Sequence, residues 1–363
     1  MLGIDLFAGC GGMSFGAVQA GISVGLAVEL DPNAAKTYKL NHPDTTLVTA
    51  DIKTLTSRRL ARWKKVRDEL VVFGGPPCQG FSWSNLRTRN LANESNWLFE
   101  EFLRIVGKLK PAWVVFENVQ GIVNTEEGEF LRQIKEKLRE EYSLHERLLN
   151  AKHFGVPQDR TRYFLVGSRD GVAFRFPRRR TVTPLTVDDA IRDLPPLEVG
   201  DAVCWRKYGR AIPSAYGLRL RGKLDGCCNH LVSRNAEFVV KRYGHVPQGG
   251  NWEDIPARLM ENYADRERCH TGIYHRLKLK GPSIVIGNFR KNMLIHPTQD
   301  RGLSVREAAR IQSFPDQYEF CGSIGFQQQQ VGNAVPPLLA GAVFTALVRA
   351  STKRPRRKQP WRK

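Results

Sequence analysis

A chain of 363 residues with 41% hydrophobic side chains is long enough for two compact units and too apolar for wholesale disorder. Its 56 Lys+Arg against 36 Asp+Glu leave a net charge of +20, which suits a polyanion: nucleic acid or an anionic membrane surface. Seven scattered cysteines, an odd number, exclude a disulfide framework and fit a reducing compartment. Cys227, Cys228, His230, Cys269 and His270 invite a zinc reading, but no C-x-x-C pair supports it, and ordinary thiols with no metal are expected. The charge is uneven. Residues 1–150 hold 19 basic and 18 acidic side chains, a net of +1, and residues 151–363 hold 37 and 18, a net of +19. The N-terminus, MLGIDLFAGC, has no basic n-region or apolar h-region, and no apolar run approaches the roughly 20 residues of a membrane span. A soluble, cytosolic protein is expected.

In chain order, LGIDLFAG reads as a strand running into glycines and SFGAVQAG as a helix. SVGLAVEL is a second strand, PNAAKTYKLNH a second helix, and TLVTADI, LVVFGG and AWVVFENV are further strands. EGEFLRQIKEKLREEY places Phe130, Leu131, Ile134, Leu138 and Tyr142 on one helical face, and RYFLVGSR is another strand. Apolar strands separated by helices predict an α/β fold with a parallel sheet covered on both faces, which binds ligands beyond the carboxyl ends of its strands. After about residue 198 the rhythm fails, and a second, irregular, partly β domain is expected. Helices return at SVREAARIQ and PPLLAGAVFTALV, and KRPRRKQPWRK is a basic tail.

The chemistry sits at the strand ends. DLFAGCGG (5–12) turns a strand into a helix on glycines but is not G-x-G-x-x-G, because Ser14 stands at the third position. Glu29 ends the second strand, where a carboxylate accepts from ribose hydroxyls, and Asp51 ends the third, within reach of an adenine amino group. Together they specify an adenosine site, and without a second phosphate signal S-adenosylmethionine fits better than NAD. Cys78, in GGPPCQGFS, follows the fourth strand in a loop restricted by prolines. Glu117 lies at the end of the fifth strand, over the same pocket, and Arg160 and Arg162 of PQDRTR precede the next strand. Arginines favour the nucleophilic thiolate. A thiolate, a carboxylic acid and a methyl donor on a basic protein match methylation of cytosine at carbon 5, a poor nucleophile until a thiolate adds to carbon 6. The base must then leave the duplex.

DLFAGCGG, GGPPCQGFS, FENV, QDRTR, RGLSVREAARIQSFPD and QVGNAVPPLLA, in this order across nearly the whole chain, resemble the cytosine-C5 DNA methyltransferase family. The resemblance implies an AdoMet-dependent, Rossmann-like catalytic domain at 1–198 plus 326–350, a target-recognition domain at 199–325 and a basic tail at 351–363. It implies Cys78 as nucleophile, Glu117 as partner of cytosine N3, and Arg160 and Arg162 as pocket arginines. For the cofactor it implies Phe7 stacking on adenine, backbone of Cys10 and Gly11 at the methionine end, Glu29 and Leu30 at the ribose, and Asp51 and Ile52 at the adenine. Pro77 lines the methyl site, and Asn333 and Val335 complete the pocket. Gln79, Ser82 and Ser84 match residues that contact DNA.

One stretch departs: the family's Asp-x-Arg-Asn is Asn93-Glu94-Ser95-Asn96 here, which bears on loop closure rather than on chemistry. GGNW (249–252) and YHRL (274–277) read as a structural turn and a strand, and Arg178, Arg179 and Arg180 as phosphate or solvent contacts. The resemblance implies a monomer acting on double-stranded DNA at the nucleoid, from a microbial restriction–modification system with a possible partner endonuclease, or from an orphan. Two alternatives stand beside it: a tRNA cytosine-5 methyltransferase on the same fold, against which QGFS and the lack of Cys-Phe-Thr argue, and a DNA-binding module without catalysis, against which intact Cys78 and Glu117 argue.

Overall fold

The computed structural model describes residues 1–77, 98–124, 128–179, 183–262 and 271–352. Seven strands form its central sheet: β1 (Leu2–Leu6), β2 (Ser23–Glu29), β3 (Thr46–Thr49), β4 (Leu70–Gly74), β5 (Trp113–Val119), β6 (Ser143–Asn150) and β7 (Thr161–Ser168). Their order is β3-β2-β1-β4-β5-β7-β6. The first five are parallel, as expected. β7 instead runs antiparallel to both β5 and β6. The reason is the short link 151–160, which holds one 3₁₀ turn, Ala151–Phe154, and is too short for a crossover helix. β6 escaped the sequence reading because SLHERLLN shows solvent to most of its residues, as a charged edge strand does.

Helices cover both faces. α1 (Gly12–Gln19) and α2 (Pro32–Asn41) follow β1 and β2. α3 (Ser57–Lys64), α4 (Leu98–Leu109) and α5 (Glu129–Arg139) pack on one face through Leu60, Phe102, Phe130 and Ile134. α3 and α4 add to the expected elements. On the other face α1 lies beside α12 (Pro337–Ser351), where Met13, Ala17, Leu339, Val343 and Phe344 join Val71 and Phe73 of the sheet. Full burial of each large aliphatic or aromatic side chain contributes about 1.5–3 kcal/mol. Gly16 sets how closely these helices approach, since a Cβ there would lie 2.6 Å from the Gly341 amide.

The second region is irregular, with one small sheet of β8 (Trp205–Lys207) and β9 (Gly226–Cys228). Its helices are short: α6 (Val187–Ile191), α7 (Ala215–Arg221), α8 (Glu237–Tyr243), α9 (Phe289–Asn292), α10 (Val305–Ile311) and α11 (Ile324–Asn333). One apolar core joins Val187, Ile191, Tyr216, Leu231, Leu277, Ile311 and Val331 with Cys10 of the first turn. A smaller one gathers Val239, Tyr243, Ile255, Tyr274 and Ile295.

Buried arginines stand in for missing ladders. Arg310 bonds Asp193 at 2.7 Å and Asp316 at 2.6 Å, and Arg306 donates to the carbonyls of Cys228, Pro315 and Tyr318. YHRL is not a strand; only an isolated bridge, Arg276 to Ile295, forms there. Arg276 donates to the carbonyls of Tyr243, Val246, His296 and Gln299, and its backbone exchanges hydrogen bonds with Gly249 and Gly250 of GGNW. The stretch Ile324–Ser351 is long and apolar enough to cross a membrane, contrary to the sequence reading. Most of its apolar window is buried within the fold, and with its break between α11 and α12 that makes it a core element here.

Candidate active site

A cleft of about 2080 Å³ opens beyond the carboxyl ends of β1, β2, β4 and β5. That exceeds the roughly 300–1,000 Å³ of a small-molecule pocket and leaves room for a nucleotide beside a cofactor. One wall is the turn after β1. Phe7 (φ 62), Gly9 (φ 55) and Gly11 (φ 93) are left-handed, and Phe7 faces the cleft. Phe7 is the unusual one, since left-handed backbone is uncommon for a bulky residue and such strain collects at binding sites. Glu29 fastens the turn: its carboxylate accepts from the Gly9 amide at 2.6 Å and the Asp31 amide at 2.8 Å. Burial raises its pKa. Each oxygen keeps a lone pair for a ribose hydroxyl. Asp51 sits two residues past β3 rather than at its end, capping the 3₁₀ turn Ile52–Thr54 and lining the cleft with the buried Ile52.

Cys10, Leu30, Pro77, Asn333 and Val335 line the same space, with Leu30 exposed at the rim. Gly11 is not among the lining residues. Its amide donates to the Ala8 carbonyl and its carbonyl accepts from Phe15, so both are used within the turn. Its role is steric: a Cβ there would lie 2.7 Å from both His42 Nε2 and Tyr318 Oη. The Cys10 carbonyl accepts from Tyr318, and burial pushes the Cys10 thiol up to about 12.

Beneath the turn lies an acid that the sequence reading passed over. Asp5 is buried in β1, lines the cleft and accepts from Ser14 Oγ at 2.6 Å. Burial pushes its carboxyl up to about 8. Ser14 Oγ also meets Tyr38 Oη at 2.8 Å, and His42 Nε2 meets Tyr318 Oη at 3.2 Å, extending the polar chain toward the C-terminal region. The available signal was a lone aspartate inside the apolar strand LGIDL.

Glu117 is buried on β5 against the loop after β4, where a Cβ on Gly75 would approach its Oε2 to 2.5 Å. Its Oε1 lies 3.1 Å from Arg162 Nε and has no hydrogen-bond partner among the described residues. Burial raises the pKa of this carboxyl, while Arg162 and then Arg160 act the other way. Asn118 Nδ2 donates to the Pro76 carbonyl at 3.1 Å, fixing the proline loop from the same strand. Arg162 lies within β7, not before it.

Arg160 also lines the cleft, but its terminal nitrogens are held elsewhere, while its buried Nε has no hydrogen-bond partner among the described residues. It donates to the carbonyls of Ile286 at 2.7 Å, Gly332 at 2.9 Å and Ala334 at 3.0 Å. Gly249, Asn251, His275 and Asn288 form the opposite wall and were not assigned from sequence. Cys78, Gln79, Ser82, Ser84, Asn93-Asn96, Arg180, Cys269, His270 and most of the tail lie outside the described residues.

These geometries define a nucleotide-cofactor cleft with a buried acid–arginine pair at its floor. Residues 1–349 match the C-5 cytosine-specific DNA methylases, and the chain belongs to that family. It is 37% identical to the Type II methyltransferase M1.HphI of Haemophilus parahaemolyticus, over 96% of this chain and 87% of that protein. It is 35% identical to M.XorII of Xanthomonas oryzae, over 98% and 86%. A solved structure described as a prophage-encoded DNA modification methyltransferase of E. coli superposes with TM-score 0.80 at 26% identity, covering 97% of this chain and 100% of that one. The Dnmt2 methyltransferase of S. pombe, at TM-score 0.55 and 17% identity over 96% and 98% of the two chains, shares the fold alone. The chain is therefore a sequence-specific DNA (cytosine-5-)-methyltransferase with the AdoMet-dependent methyltransferase fold, and its methyl donor is S-adenosylmethionine. The weight of these relatives falls on DNA rather than tRNA.

The cleft fits that cofactor. The Phe7 and Ile52 side chains would offer apolar surface for its purine and Glu29 would offer acceptors to its ribose hydroxyls, and Pro77, Glu117 and Val335 line the same cleft.

Proposed function

We propose that Glu117, Arg162 and Cys78 carry the chemistry of DNA cytosine methylation. The observation behind this is the buried Glu117 carboxyl: its Oε1 is ion-paired with Arg162 at 3.1 Å but accepts no hydrogen bond among the described residues, and its Oε2 packs on Gly75, three residues before Cys78. The Cys78 thiolate adds to carbon 6, forming an S–C bond as the ring's electron pair shifts toward carbon 5. Glu117, kept prone to protonation by burial, gives its proton to ring N3 and neutralises the ring. Arg162 orients the Glu117 carboxyl and stabilises its charge once the proton has left. Bound S-adenosylmethionine, held by Phe7, Glu29, Leu30, Asp51, Ile52, Pro77, Asn333 and Val335, supplies the electrophilic methyl group. Once carbon 5 carries the methyl group, a base removes the C5 proton, that electron pair re-forms the C5–C6 double bond as the S–C6 bond breaks, N3 returns its proton to Glu117, and the thiolate is released.

Arg160 acts as a positioning residue, through the backbone of 332–334. Cys10 and Gly11 shape the turn, and Gln79, Ser82 and Ser84 contact DNA near the vacated stack. Residues 1–198 and 326–350 form the catalytic domain, 199–325 the target-recognition domain and 351–363 a basic tail. The enzyme works as a cytoplasmic, nucleoid-bound monomer, in a restriction–modification system with a partner endonuclease or as an orphan; the Type II names of its relatives support the restriction–modification setting alone.

The test is tritiated-methyl transfer to duplex DNA and to tRNA by wild type and Cys78→Ser. Label on DNA that vanishes in the variant, with DNA binding kept, supports the reading. Label confined to tRNA, or full activity in the variant, overturns it.

A further inference from the structure

Helix α3 carries a charge pattern that no ion pair uses; Arg62 alone of its exposed cations has an internal contact, over the Trp63 ring at 4.8 Å, among the described residues. No acidic residue stands between Asp51 and Asp68, while Arg58, Arg59, Arg62, Lys64, Lys65 and Arg67 supply six of the 19 basic residues in the first 150. Leu60 and Trp63 anchor the helix to the core. At about 100° per residue, Arg58, Arg62 and Lys65 fall within roughly 60° of one another on the opposite side, flanked by Arg59 and Lys64. All five are exposed, and none forms an ion pair among the described residues. On the adjoining α4, Glu101 is already held by Arg104 at 2.6 Å.

This arrangement works against the helix. Like charges at i and i+4 repel, and cations in the first turn oppose the macrodipole, although Arg62 and Lys64 in the last turn favour it. That turn has no acid to offset Arg58 and Arg59. A surface that repels itself and finds no internal counter-charge is built for an external anion.

We propose that the α3 stripe docks the phosphate backbone of duplex DNA flanking the target cytosine. This rests on the DNA methyltransferase reading. Lys53, Asp51 and Ile52 line the cleft. α3 begins at Ser57, so the stripe leads outward from the cleft rim. From residue 58 to 65 it spans roughly 10 Å at 1.5 Å per residue, the length of about three phosphates along one strand. Contacts of this kind are blind to sequence: they set orientation and reach, while specificity stays with the second region.

The test compares wild type with the triple variant Arg58→Gln, Arg62→Gln, Lys65→Gln. Affinity for 40-bp and 12-bp duplexes of arbitrary sequence is measured from 50 to 300 mM salt, with anionic phosphatidylglycerol vesicles as a third probe. Three lost phosphate contacts, at about 0.9 each, lower the log–log salt slope on the 40-bp duplex by about 2.7 and leave the 12-bp slope nearly unchanged. The variant should melt close to wild type, since relieved repulsion and lost C-terminal charge oppose each other, and should methylate genomic DNA at low salt. An unchanged 40-bp slope, or a loss confined to vesicles, overturns the proposal. Failure of wild type itself to methylate DNA would count against the parent reading instead.

Discussion

Asp5→Asn should remove a large part of the alkaline destabilisation of this enzyme. Asp5 is fully buried, and its carboxyl titrates at about 8 in the fold against 3.8 when free. The native chain thus holds a proton that the unfolded chain releases, and stability falls as pH rises between those values. Its contribution is fully present below pH 4 and is lost as pH climbs through 8. At pH 5.5 the penalty corresponds to about 1.7 units and at pH 8.5 to about 4, a difference of about 3 kcal/mol at 1.36 kcal/mol per unit. Asparagine keeps the shape and an acceptor for Ser14 Oγ but holds no titrating proton. Urea denaturation of both proteins at the two pH values isolates the effect, because Glu29, Glu117 and every other acid are common to both. Wild type should lose about 3 kcal/mol more than the variant on going to pH 8.5. Equal losses would mean that Asp5 is ionised in the native state, and the burial argument would fail.

Glu117→Gln keeps the volume and removes the transferable proton, so methyl transfer should drop about 10²–10⁴-fold with DNA affinity nearly unchanged, as read by single-turnover labelling. Because burial raises the Glu117 pKa, wild-type single-turnover rates should fall as pH rises through that value, and the variant should lack this limb. Arg160→Ala strips donors from three buried carbonyls. It should lose about 3–6 kcal/mol in urea denaturation, a large share of the roughly 5–15 kcal/mol of a typical domain. It should raise the KM for S-adenosylmethionine more than it lowers kcat, with partial rescue by Arg160→Lys. Intact stability with kcat alone abolished would mark Arg160 as catalytic instead.

Strand ends were legible because a parallel sheet puts them at one edge. Glu29, Asp51 and Glu117 could be assigned to a common cleft from their positions after apolar runs. What stayed hidden depends on long-range partners. The carbonyls that hold Arg160 come from Ile286, Gly332 and Ala334, more than a hundred residues away, and no local pattern announces them. Likewise the net charge of the second part concealed that Arg276, Arg301, Arg306 and Arg310 are buried in the fold. The near-neutral sum of the first part hid the basic stripe on α3, since a sum averages over position. The antiparallel β7 was missed because LVGS-type apolar runs look alike in either direction; only the link length decides.

The two arginines of QDRTR show how base pocket and cofactor wall are joined. Arg160 immediately precedes β7 and Arg162 lies within it, two residues apart, so alternation along an extended chain gives them a common side. One grips Gly332 and Ala334, which flank the cleft-lining Asn333; the other meets Glu117 at the floor of the cleft. The C-terminal wall is in turn held against the first turn, where a Cβ on Gly12 would sit 2.4 Å from the Val335 carbonyl. The C-terminal wall and Glu117 are thus linked through one short segment of backbone, residues 160–162. The reversed strand β7 therefore carries Arg162 to the cleft floor, directly after the Arg160 that holds the cleft's C-terminal wall.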